Sequence, residues 1–121
     1  MQDAARAYRV ASAHTANPRA LEANLLLKAA AKLKAVQNAG GDDAAQFDEA
    51  LLYNRKAWVM FMAAVTSPET PLPVAIRENV ANLGMFVLNR TLELMAGRDP
   101  ARLGSLIRIN CELAAGLSGN A

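Results

Sequence analysis

A chain of 121 residues is long enough for one hydrophobic core and too short for two. It is 53% apolar but only 5% aromatic, and Ala and Leu supply most of the apolar share while Val, Ile and Thr are sparse, which favours helices over strands. A net charge of +2 is too small to argue by itself for a phosphate-binding surface, and the single Cys111 excludes an internal disulfide framework and fits a reducing compartment.

The first residues, Met1 to Asn17, include Asp3, Arg6, Arg9 and His14, so no secretory signal is expected there. Ala4, Ala7, Tyr8 and Ala11 share a helical spacing, which makes a short N-terminal helix docking through Tyr8 a candidate element. Asn17-Pro18 is a strong helix start, because the amide can cap and proline loses nothing at the first helical position. The apolar stripe that follows is Leu21, Leu25, Ala29, Leu33 and Val36, and Ala39-Gly40-Gly41 ends it.

Asp42 or Asp43 caps the second helix, whose stripe Phe47, Leu51, Asn54, Trp58, Phe61 and Val65 is the most regular in the chain. Thr66-Ser67-Pro68 stops it, and the prolines at 68, 71 and 73 predict an extended, stiff connection. From Pro73 a third helix carries Ile76, Val80, Leu83, Val87 and Leu94 and closes with Gly97 in the left-handed cap position. Asp99-Pro100 repeats the cap-and-proline start, and the last helix carries Leu103, Leu106, Asn110, Leu113 and Leu117.

Helices of about 20 residues are roughly 30 Å long and bury their stripes best side by side. The expectation is therefore an all-α, single-domain antiparallel bundle of about four helices over residues 1–121, with 1–17 and 118–121 as flexible ends. Lys28, Lys32, Asn54, Arg55, Asn79, Asn82 and Arg90 interrupt every long helix candidate, so no membrane span is expected. A cytoplasmic protein without a membrane association follows.

Chemistry is sparsely represented. One histidine, His14, and one cysteine, Cys111, make no metal set, and Cys111 reads as a small buried or half-buried thiol. Ser12, Ser67, Ser105 and Ser118 have no base nearby in sequence, and most carboxylates fall near helix starts, where the helix dipole favours them. No catalytic residue, cofactor or metal site is expected, and the protein is not expected to be an enzyme.

The informative residues are polar ones on or beside apolar stripes. Asn54 and Asn110 interrupt two seams, and Asn79, Asn82 and Asn89 run beside the third. They fix register by bonding one another and helix ends, or they belong to a recognition edge. For that edge the candidate partner-binding residues are Arg55, Trp58, Arg77, Asn82, Arg90 and Asn110, although the place of Trp58 on its stripe also makes it a core residue. Met60, Met62, Met85 and Met95 suit irregular core gaps better than a groove for a partner helix.

Three blocks resemble the FlaF family of flagellar biosynthesis regulators. The first is Tyr8 with Thr15-Ala16-Asn17-Pro18-Arg19 and Glu22-Ala23-Asn24-Leu25-Leu26-Leu27-Lys28, and the second is Ala50-Leu51 with Asn54-Arg55-Lys56-Ala57-Trp58. The third joins Pro71-Leu72-Pro73, Arg77, Asn82-Leu83-Gly84-Met85-Phe86-Val87 and Arg90-Thr91 to Leu106-Ile107-Arg108-Ile109-Asn110 and Gly116-Leu117. The resemblance implies a small cytoplasmic factor for flagellin synthesis and secretion, binding flagellin as a chaperone-type regulator alongside a FlbT-like companion. The alternative it leaves open is regulation through flagellin mRNA, directly or with FlbT. Direct nucleic-acid binding fits less well, because most aromatics lie on apolar stripes.

Overall fold

Capped, apolar-striped segments separated by glycine or proline breaks give four α-helices and no strand among residues 18–119, the part of the chain that the computed structural model describes. They are α1 (Pro18–Asn38), α2 (Ala44–Val65), α3 (Val74–Gly97) and α4 (Gly104–Leu117), with a 3-10 turn over Pro100–Leu103 before α4. The possible helix around Tyr8 and the His14 position lie outside the described residues.

Local chemistry sets the boundaries. Gly40 and Gly41 adopt φ of 77° and 72°, and the Gly41 N–H donates to the Val36 carbonyl at 3.1 Å, closing α1 in a left-handed turn that glycine makes without steric cost. Asp43, not Asp42, caps α2, its Oδ1 accepting from the Gln46 N–H at 3.1 Å. The proline-rich joint turns over 66–69 and bends again at Leu72 before an extended Pro73 (φ −58°, ψ 151°), rather than being extended throughout. Asp99 Oδ1 accepts from the Ala101 N–H at 3.0 Å at the start of the 3-10 turn.

The end of α3 departs from expectation. Gly97 is the last helical residue, and Arg98 takes the left-handed conformation at φ 47° and ψ 43°. A side chain at positive φ is costly, and here it is held by a two-pronged bond to Asp48, Nε to Oδ1 at 3.1 Å and Nη2 to Oδ2 at 2.8 Å.

The helices form an up-and-down bundle. The α2 start meets the α3 end at Asp48 and Arg98, and Met62 late in α2 packs on Gly84 midway along α3, so the two run antiparallel. Helix α1 lies between α2 and α4, while α3 packs most closely on α2. That sandwiched position explains why α1 buries Ala23, Leu26, Ala29, Ala30, Leu33 and Val36, a broader arc than expected, with Leu21 and Leu25 only half-buried at its edge.

All six stripe positions of α2 are buried, from Phe47 to Val65, and Trp58 meets Phe61 edge-on at 5.7 Å. The stripe of α3 is rotated from expectation to Val80, Gly84, Val87, Thr91 and Leu94, leaving Ile76 and Leu83 exposed. A Cβ at position 84 would overlap the Met62 sulfur, so the missing side chain is what lets the two helices approach. The Thr91 hydroxyl is satisfied by donating to the Val87 carbonyl at 2.7 Å. On α4 the buried face is Leu106, Asn110 and Ala114, and Leu113 and Leu117 are half-buried.

Candidate functional site

Three helices converge on a buried polar node. Trp58 Nε1 of α2 donates to Asn110 Oδ1 of α4 at 2.8 Å. Asn110 Nδ2 donates in turn to Asn54 Oδ1 of α2 at 2.7 Å and to the Leu26 carbonyl of α1 at 3.1 Å. Asn54, Trp58 and Asn110 have no exposed surface, so each bond forms in a low-dielectric interior where an unmade one is expensive. One donor, Asn54 Nδ2, has no partner among the described residues. Amide and indole groups neither ionise nor attack at neutral pH, so the node ties helices together and supplies no acid, base or nucleophile.

The expected recognition edge is divided by this geometry. Trp58 and Asn110 are core residues, out of reach of a partner, because the node needs both side chains inside. Arg55 and Asn82 are exposed, on α2 and α3. Arg77 is half-buried in a depression with Thr66, Val74, Glu78 and Ala81 beside the α2–α3 joint. Arg90, also half-buried, lies over the Phe86 ring at 5.1 Å with Glu93 at 3.9 Å. The four remaining candidates thus lie on α2 and α3, with Arg55 and Arg77 in two different depressions and Arg90 against Phe86.

Of the seam asparagines, Asn54 and Asn110 bond each other, whereas Asn79, Asn82 and Asn89 are exposed. The methionines also divide: Met62 and Met95 pack against the core, while Met60 and Met85 are exposed. Cys111, expected to be buried at least in part, is exposed, because it follows Asn110 and so points away from the node face. Among the described residues no three His, Cys, Asp or Glu side chains gather in a metal-binding group.

What sequence reasoning did not gather into one feature is a set of large apolar side chains in solvent. Leu52, Val59 and Met60 on α2, and Val74, Met85 and Leu92 on α3, are all exposed. Each alone is unremarkable on a protein surface, and only their concentration on two adjacent helices marks them.

The family model described as "Flagellar protein FlaF" matches residues 4–117, nearly the whole chain. The chain belongs to the FlaF family. Membership connects this FlaF protein with the flagellum and accounts for the resemblance of its three sequence blocks. No curated protein and no solved structure gives a significant match. Among the described residues of this FlaF chain no helix is long and apolar enough to cross a membrane. Asn54 and Trp58 of the second block and Asn110 of the third are the three side chains of the node.

Proposed function

We propose that this FlaF protein is a cytoplasmic, non-enzymatic factor that binds flagellin and, as a chaperone-type regulator, couples flagellin synthesis to its secretion. The observation that carries the reading is the family match over residues 4–117. Its physical support is a frame of long helices that holds uncovered apolar side chains on α2 and α3, a surface suited to capturing an apolar face of another protein. Arg55 is its best candidate anchor, since it is exposed and shares a depression with Leu52, Lys56 and Val59.

Titration calorimetry of the full-length chain with purified flagellin tests this. Saturable binding is expected, weakened on the order of tenfold by Arg55→Ala and unchanged by Lys34→Ala on α1, with equal melting temperatures. No heat of binding to flagellin, with retention of flagellin mRNA on the immobilised protein instead, would overturn the reading in favour of direct RNA control.

A further inference from the structure

Part of the exposed and half-buried apolar surface of α2 and α3 lies along one seam between the two helices. Leu52, Val59 and Thr66 recur every seven residues along α2 and its cap, and Val74, Ala81, Leu88 and Met95 recur every seven along α3. A seven-residue step is close to two helical turns, so each series keeps to one side of its helix. Thr66, Val74 and Ala81 line one depression at the joint between the helices. The antiparallel register set by Met62 on Gly84 and by Asp48 with Arg98 then carries Val59 toward Leu88 and Leu52 toward Met95. The rims stand out in solvent: Leu52 and Val59 are 47% and 49% exposed, and Met85 and Leu92 are 55% and 66% exposed.

Arg77 and Glu78 stand together at the joint end of the seam, but in the depression around Leu52 and Val59 the lining charge is of one sign. Arg55 and Lys56 line a depression with Leu52 and Val59, and among the described residues neither cation has an ion-pair partner. Toward the far end of α3, by contrast, Arg98 is paired with Asp48, and Arg90 and Arg102 share Glu93. We propose that the α2/α3 seam is a docking groove for an amphipathic helix whose apolar stripe is flanked by carboxylates. A helix laid along the seam covers Leu52, Val59, Met85 and Leu92 as a third helix covers two packed neighbours, and its acidic flank supplies the counter-charges that Arg55 and Lys56 lack.

Two other occupants fit less well. A second copy meeting this face about a two-fold axis near Arg55 sets like cations against each other. A lipid surface is met in general by helices with aromatic anchors, and none of the side chains named in the seam is aromatic. The inference rests on the protein-binding reading above, but not on flagellin being the partner.

The test uses the full-length chain and two synthetic amphipathic helical peptides of equal length, each with a leucine stripe, one flanked by glutamates and the other by lysines. Fluorescence anisotropy should show the glutamate peptide bound at least about tenfold more tightly than the lysine peptide. Leu52→Asp and Leu92→Asp should each abolish most of that binding, Phe86→Asp should leave it within about twofold, and Arg55→Glu with Lys56→Glu should reverse the peptide preference. Leu52→Gln and Leu92→Gln replace any aspartate variant that loses its melting transition.

Failure of both peptides to bind, equal binding of the two, or indifference to the Leu52 and Leu92 variants overturns the proposal. Binding to phosphatidylserine vesicles that those variants abolish, without a peptide preference, reassigns the seam to a membrane. A concentration-dependent dimer that they abolish reassigns it to a second copy. Intact peptide preference in a chain that does not bind flagellin overturns only the flagellin reading.

Discussion

The node at the centre of the bundle and the seam between α2 and α3 are built on opposite plans. At the node, three polar side chains are wholly buried and locked to one another across α1, α2 and α4. At the seam, apolar side chains stand in water and cations lie beside them without ion-pair partners among the described residues. Each inverts the usual placement, polar outside and apolar inside, and each inversion has its own reason. Buried amides fix which helices meet and in what register, whereas exposed leucine and methionine leave a surface that another molecule can cover. The buried motif residues and the residues of the proposed docking seam are therefore different sets in this protein.

The comparison breaks first at Trp58. Trp58→Ala should cost about 3 to 5 kcal/mol against a typical total of about 5 to 15, leaving the domain close to unfolding in urea denaturation. Asn110→Ala orphans Trp58 Nε1 and Asn54 Oδ1, at about 1 to 3 kcal/mol for each buried group left unpaired. The double variant should lose less than the sum of the two, since both remove the same bond. Additive losses would show that the node is not a coupled unit.

The next effect separates node from seam. Gly84→Val forces a branched side chain into Met62 and should cost about 1 to 3 kcal/mol, partly recovered when Met62→Ala makes room. No recovery would mean that the close approach of α2 and α3 does not depend on the absent side chain.

These elements differ in how readable they were. The α2 stripe was legible because its periodicity is strict and every position in it is buried. The α3 stripe was not, because hydrophobic patterning counts side-chain volume, while the contact at Gly84 depends on the lack of it. Arg98 as the left-handed cap was invisible for another reason: its support is Asp48, fifty residues away. Asn54 and Asn110 stood out as amides on apolar stripes, but their bond to each other and to Trp58 exists only once three helices meet. The seam escaped notice because single exposed apolar residues are ordinary and sequence spacing alone does not set two helices side by side.

Smaller effects come from two carboxylates whose environments act in opposite directions. Burial pushes the Glu22 carboxyl above its ordinary range, although Arg19 beside it pulls the other way. A carboxyl that is protonated more readily in the folded chain favours folding most at acid pH, and that contribution fades as pH rises through its folded value. Glu22→Gln should accordingly raise the melting temperature at about pH 7, with a gain that shrinks toward about pH 4. A loss at neutral pH would show that the ion pair with Arg19 outweighs burial.

At Asp48 the hydrogen bond from Arg98 holds the carboxyl below its ordinary range. Its contribution is present at neutral pH and is lost as pH falls through that lowered value. Arg98→Gly and Arg98→Ala both remove the pair, yet Arg98→Gly should be less harmful because glycine tolerates the left-handed backbone. Equal melting temperatures for the two would show that the backbone at 98 carries no strain.

The most direct test of the division between node and seam is calorimetric titration of flagellin into Trp58→Phe, at a temperature where its circular dichroism shows it folded. This substitution replaces the indole by a smaller aromatic ring and removes the N–H that Asn110 accepts, so it weakens the node without touching the surface. The account predicts a lower melting temperature with flagellin affinity within about twofold of the unaltered chain. A loss on the order of tenfold in affinity with an unchanged melting temperature would contradict it and return Trp58 to the binding site.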